Sequence, residues 1–329
     1  MIRIEYIQVP QKYLDFIDYF KKKIKKWVKK GSMGNASTKV ILNDDCKLLF
    51  RYLIQADNLK KVLLLSADEI PQLINYIEKK FPSLKDCRLK KADADRRLFD
   101  CLSKAFDALG FCDTKFPDFE LSCSLGIKAC PYCNAEDIVI QDLQKEGVYI
   151  RNSELDHFYP RELYPYLSIS LYNLVPSGSI CNGGNCKHNK DTYQIQLVNP
   201  FSLPDSDGIV FELNIIDKGI LSYRTFEQAC RIKTIVMRPA MSVNKQMFLI
   251  ESRYEKEILH ARTIWCSFKE CASVGYQNMI DTKAKLLNTT LTFDEWFELE
   301  TQVNPNDYNG KKLSKLTMDI WRQLDSMKP

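Results

Sequence analysis

Cys130-Pro131-Tyr132-Cys133 sets two thiols two residues apart, and Cys181 and Cys186 follow about fifty residues later. Four thiolates delivered by two short loops can surround a tetrahedral Zn²⁺ at about 2.3 Å each, and an ion held that way is structural because no coordination site stays open. A small segment poor in apolar residues gains folding free energy directly from such a metal. Between the two cysteine pairs lie Glu154-Leu155-Asp156-His157-Phe158-Tyr159-Pro160 and Leu171-Tyr172-Asn173-Leu174-Val175-Pro176, and Asn182 directly follows Cys181. The chain has only three histidines, so one beside an aspartate inside a cysteine frame stands out. Taken singly, Asp156-His157 could be a surface pair, Asn173 a turn residue and Asn182 a helix cap. A lone cysteine is most simply a small buried hydrophobe, and that reading is accepted for Cys46, Cys87, Cys101, Cys112, Cys230, Cys266 and Cys271.

In order and spacing, the segment from about Ala129 to Lys190, roughly a fifth of the chain, resembles the HNH, or ββα-metal, endonucleases. The resemblance rests on the leading C-x2-C, the D-H-x-x-P strand, the N-L-x-P segment and the Asn directly after a later Cys. Asn173 stands sixteen residues after His157, and Asn182 nine after Asn173. It implies that the Asp-His strand, the Asn loop and a final Asn on a short helix meet around one divalent ion. Asp156 and the side-chain oxygen of Asn182 would then be hard donors to Mg²⁺ or Mn²⁺. His157, with an ordinary pKa near ~6.5, would be the general base. Asn173 would fix the tautomer and tilt of that imidazole by a hydrogen bond. The ion would stabilise charge on the phosphate and the leaving 3′ oxygen, giving 5′-phosphate and 3′-hydroxyl ends. Adjacent side chains on a strand leave opposite faces, so Asp156 and His157 reach one ion only from a twisted or bulged strand. His188 and Asn189 are stand-ins for the last ligand, and Lys187 and Lys190 either touch phosphate or are merely solvated. The frame departs from the family at Gly178, where a second C-x2-C would begin; Cys186, reached through Gly183-Gly184-Asn185, is expected to supply the missing thiolate.

The run from Leu155 through Pro165 to Pro176, with Val198-Asn199-Pro200-Phe201, is similar to the HNH nucleases of bacterial anti-phage systems of the Septu type, also found beside retrons. That likeness implies phage DNA as substrate and an ATPase partner of the ABC/SMC-like kind. Two rival readings remain open: a zinc-knuckle nucleic-acid- or protein-binding module without catalysis, and a toxin-like nuclease acting on tRNA or other RNA.

These residues need elements to position them. Residues 1–120 read as a helical region. From Tyr13 the apolar positions Leu14, Ile17, Phe20, Ile24, Trp27 and Val28 recur at helical steps, with Gly31 as a natural stop. The opposite face carries Lys21, Lys22, Lys23, Lys25, Lys26, Lys29 and Lys30. It reads first as a solvated face and second as a phosphate-contacting stripe, with Lys22, Lys26 and Lys29 as the nucleic-acid-binding residues. Helical patterns resume over Leu48–Ala56, Ala67–Lys80 and Asp93–Leu109. Residues 121–200 form the loop-rich module. In residues 201–329, Ile209–Ile215 and Ile220–Arg224 about Asp217-Lys218-Gly219 read as a β-hairpin. Helices follow at Phe226–Met237, Ser242–Phe268, Gly275–Leu287, Phe293–Gln302 with a Thr292 cap, and Leu313–Leu324. The fold class expected is α+β, a central zinc-pinned ββα-metal module flanked by mostly helical regions.

Composition sets the outer limits. The 329 residues are 45% hydrophobic and 27% charged, which is ordinary for a folded chain and argues against disorder. Net charge is +5, permitting a polyanionic partner without demanding one. The start lacks a signal-peptide pattern and no run approaches the ~20 apolar residues of a membrane span. A cytoplasmic setting is therefore expected, with the twelve cysteines as reduced thiols or metal ligands rather than a disulfide framework.

Overall fold

The computed structural model describes residues 1–6, 8–143 and 148–327. The architecture is α+β, helices throughout with four separate two-stranded antiparallel sheets among the described residues. The first helix spans Gln11–Lys30 and buries Tyr13, Phe16, Ile17, Phe20, Ile24 and Trp27, as its periodicity demands. It stops at Gly31, whose φ of 69° is the left-handed conformation a glycine adopts without penalty. Lys22, Lys26 and Lys29 are exposed on its outer face. Lys23 turns inward, to the Leu109 carbonyl at 3.0 Å and Asp113 at 2.6 Å.

The next helix runs Asp44–Ile54, earlier than its apolar pattern suggests, because the Asn43 side chain caps it by accepting from the Cys46 amide. Ile70–Lys80 follows the expected pattern. The Asp93–Leu109 expectation fails at both ends: the α-helix is Arg97–Leu102, and it widens into a π-helical turn over Ser103–Phe111. Such wide turns gather at functional positions, and this one delivers Phe111 to the site described below. Cys46 and Cys101, expected to be plain buried thiols, form a disulfide across 55 residues. The pairing depends on two helices being packed together, which neither local pattern encodes.

The central region contains Ile140–Leu143 paired with Val148–Arg151, then Glu154–His157 paired with Leu174–Ser177, then a short helix Ser179–Asn182. Farther on, Ile209–Ile215 pairs with Cys230–Val236, not with 220–224, so the expected hairpin is wrong in its second strand. The expected helix Phe226–Met237 shrinks to Phe226–Ala229. Cys230, Ile232 and Thr234 point inward at period two, and the β-branched residues of this segment favour the strand as well. The long Ser242–Phe268 helix is likewise broken into Met241–Met247, Ile250–Tyr254 and Ile258–Val274, with Leu249 at φ 52° in the first break. Tyr276–Leu287 and Phe293–Thr301 follow, the latter opened by a Thr292–Glu295 capping box.

The last helix, Ser314–Ser326, lies along Ile209–Ile215 and satisfies its backbone: Asp319 accepts from the Phe211 amide at 3.0 Å, and Gln323 bonds both polar groups of Leu213. Buried side chains from all three stretches join one hydrophobic cluster. Among the described residues no helix is long and apolar enough to cross a membrane.

Closing a 55-residue loop constrains the unfolded chain by about 2–4 kcal/mol. Urea unfolding of the wild type should move to lower denaturant on adding reductant. A Cys46→Ala/Cys101→Ala chain should already sit at the lower midpoint and ignore reductant.

Candidate active site and metal-binding cluster

The antiparallel register sets Asp156 opposite Val175 and His157 opposite Leu174. Asp156, His157 and Asn182 line one open cleft of about 580 Å³, together with Glu154 and Arg161. Both stand-ins, His188 and Asn189, border it too. Asn173, Lys187, Lys190, Lys22, Lys26 and Lys29 do not line it.

His157 is buried, its ring edge-on to Phe111 with centroids 4.5 Å apart. Its Nε2 lies 2.9 Å from the Ser168 carbonyl oxygen. A carbonyl can only accept, so Nε2 carries the proton and Nδ1 is left as the acceptor of the neutral ring. Burial chiefly, with Arg161 and Lys187 adding like charge and the Ser168 carbonyl opposing, pushes the pKa down to about 3. The unfolded chain binds this proton near ~6.5. Between those values the unfolded state therefore holds more protons, and the ring's contribution to stability falls as pH drops from about 6.5 towards 3.

Asn173 does not bond the imidazole. Fully buried, it accepts from the Tyr159 amide at 2.7 Å and donates to the Tyr159 and Leu167 carbonyls at 3.2 and 3.0 Å. It closes the loop whose Ser168 carbonyl orients His157, so it acts through that loop and not on the ring. The reason is geometric: Asn173 abuts the strand end and meets the backbone after His157, while the ring leaves the strand toward Ser168.

Asp156 is also buried. Tyr132 donates to one carboxylate oxygen at 2.6 Å and Lys187 to the other at 2.8 Å. Lys187, read from the sequence as solvated or phosphate-bound, is wholly buried and also donates to the His157 and His188 carbonyls at 2.7 and 3.4 Å. Lys190 is exposed, with Nζ 3.6 Å from Met247 Sδ. The Asn182 side-chain amide donates to Glu154. The sequence reading missed Arg161, which lies over Phe111, pairs with Asp107 at 3.0 Å and keeps its side chain 41% exposed at the cleft. Its place four residues after His157 was the available signal.

Behind the strand, the sulfurs of Cys130, Cys133 and Cys181 and the Glu136 carboxylate lie within 4.8 Å of one another. Cys186, expected as the fourth ligand, lies outside this group, and Glu136 is the fourth side chain within it. Cys186 is buried, 4.0 Å from an Arg253 nitrogen. Packed thiols cannot ionise independently. Burial opposes ionisation of Cys130, but donation from Cys133, Cys181 and backbone amides pulls it well below the usual thiol range. Burial and the neighbouring Cys130 push Cys133 up to about 12, and contact with Cys130 and Cys133, ahead of burial, holds Cys181 well above the usual range. A soft dication relieves that crowding by binding all the sulfurs as thiolates, and the Ala135 amide directed at Cys133 Sγ from 3.3 Å suits a thiolate. The set could hold a metal such as Zn²⁺.

Over 71 residues the chain is 34% identical to the Septu protein PtuB of Bacillus thuringiensis, a stretch covering 22% of this chain and 23% of that protein. The chain thus matches less than a quarter of that relative's length. No family model matches, and no solved structure matches.

Two measurements follow from the geometry. The His157 ring proton resonances should stay flat from pH 8 to pH 5, whereas an inflection near 6.5 would mean that the ring is not buried as described. Asn173→Ala should cost roughly 2–4 kcal/mol in chemical denaturation by stranding buried backbone groups of Tyr159 and Leu167.

Proposed function

We propose that this chain is a metal-dependent HNH endonuclease that hydrolyses phosphodiester bonds of DNA. The observation that carries the reading is one cleft lined by a neutral imidazole of assigned tautomer, a carboxylate and an asparagine, in the order and spacing of the HNH family. On this reading the strand pair and the Ser179–Asn182 helix form the ββα-metal core.

The residues suit a hard cation. Each Asp156 oxygen accepts one hydrogen bond and retains another acceptor position, and Asn182 uses only its NH₂ group toward Glu154. Asp156 and the Asn182 oxygen would hold Mg²⁺ or Mn²⁺, which supplies charge stabilisation at the phosphate and the leaving 3′ oxygen. His157 Nδ1 takes the proton from water, while Nε2–H stays on Ser168 and keeps the ring from rotating. Arg161 offers a guanidinium to a phosphate oxygen. Lys187 and Tyr132 fix the carboxylate.

The likeness to a Septu protein supports a role in anti-phage defence. Phage DNA as the target and an ABC/SMC-like ATPase as the partner that gates cutting belong to the proposal, as what the resemblance of the HNH segment implies. Incubation of the chain with plasmid and Mg²⁺ or Mn²⁺, alone and with that ATPase, should give breaks with ligatable 5′-phosphate ends. His157→Ala should slow cutting by at least about 10²-fold, the usual worth of a general base, and Asn182→Ala should raise the metal concentration required. Equal cutting by wild type and His157→Ala would refute the assignment, and a preference for tRNA over plasmid would replace DNA by RNA as substrate.

A further inference from the structure

We infer that Glu136 has taken over the fourth ligand position of the cysteine cluster, admitted by the missing side chain at Gly178 and clamped by Arg253. This rests on reading the cluster as a zinc site. Gly178 stands three residues before Cys181, where a cysteine would complete a second C-x2-C. Its backbone, at φ −69° and ψ 150°, is open to any residue, so conformation does not require glycine there. Space does. A Cβ on Gly178 would lie 2.3 Å from the nearer Glu136 carboxylate oxygen and 2.5 Å from the carboxylate carbon. The carboxylate fills the volume that a cysteine side chain would enter.

The Glu136 carboxylate is held from two sides. The Ile180 amide donates to one oxygen at 3.2 Å and Arg253 to the other at 2.9 Å. The same Arg253 nitrogen lies 3.5 Å from Cys181 Sγ, so one guanidinium spans a carboxylate and a thiol of the group. Three thiolates and a carboxylate around a dication carry excess negative charge in a buried place, and a largely buried arginine is the cation that offsets it. Cys186 lies on the far nitrogen of that guanidinium, outside the ligand set.

The test reads metal and not cutting. Zinc per chain and zinc retention against a chromogenic chelator would be measured for the wild type, Glu136→Ala, Cys186→Ser, Arg253→Met and the double variant Gly178→Cys/Glu136→Ala. Visible spectra of Co²⁺-loaded protein would report thiolate number. The wild type should hold about one equivalent, Glu136→Ala should release it at least tenfold more readily, and Cys186→Ser should match the wild type. Arg253→Met should weaken retention about tenfold, as loss of an outer-shell partner does. The double variant should recover tight binding with a stronger thiolate-to-cobalt band, which separates ligand loss from misfolding. Zinc lost in Cys186→Ser but kept in Glu136→Ala would overturn the inference and leave a four-thiolate site in its place. A wild type that binds no metal would remove the zinc reading itself.

Discussion

One buried ion pair organises this centre. Asp156 and Lys187 are both out of water, and such a pair is tolerable only where geometry is good and the remaining donors and acceptors are satisfied. Here they are. Lys187 donates to a carboxylate oxygen and two carbonyls, and the second carboxylate oxygen takes the Tyr132 hydroxyl. Removing either charge would leave the other buried alone, a loss of about 3–5 kcal/mol in comparable cases. The pair also ties distant parts of the sequence into one device. Tyr132 sits between Cys130 and Cys133, Asp156 is on the strand, and Lys187 follows Cys186. Whatever sets the shape of the cysteine cluster therefore sets the position of the carboxylate in the cleft.

The other half of the cleft is held from the N-terminal helices. His157 is oriented by a carbonyl of the loop between the paired strands, and that loop is braced from outside. The Tyr13 hydroxyl of the first helix donates to the Ile169 carbonyl at 2.5 Å. Asp191 takes Arg88 at 2.7 Å and Tyr164 at 2.6 Å, fastening the loop to the helix Pro82–Arg88. Phe111, at the end of the π-helical turn, closes against the imidazole. The helical region is the wall that keeps the imidazole dry, and dryness is the main cause of its low pKa. The first helix contributes through its apolar face, and its exposed lysines are not among the residues that line the cleft.

How much of this the sequence carried depended on the range of the interaction. Features written within a few residues were legible: the face and stop of the first helix, the Thr292 cap, the C-x2-C pair and the strand that carries Asp156 and His157. Those that depend on what packs against what were not. The identity of Asn173 suggests a hydrogen bond to the ring, whereas only the folded loop shows which groups need one. Lys187 looked like a surface charge because its carboxylate partner is thirty-one residues away. Glu136 is not legible as a member of the cysteine cluster, because its place beside the sulfurs and against Gly178 exists only in the folded chain. The strand Cys230–Val236 carries its own strand signal in β-branched Ile232, Thr234, Ile235 and Val236 with alternating burial, but the helical pattern begun at Phe226 runs on into it when the segment is read as one element.

The centre is restrained, and the restraint is electrostatic. A base pushed down to about 3 is fully available at neutral pH yet intrinsically weak, because proton affinity and burial oppose each other. Availability and strength can coincide only if negative charge arrives when the proton moves. A phosphate bound beside Arg161 would bring that charge into a place of low dielectric, raising the proton affinity of His157 when it is needed. The carboxylate obeys the same logic in reverse, since Lys187 already neutralises Asp156 and a divalent ion must add to that pair. In the proposed reading, neither cation nor phosphate gains its full stabilisation until the other is present. On that reading, the mutual dependence would keep phosphodiester cutting off until substrate is engaged.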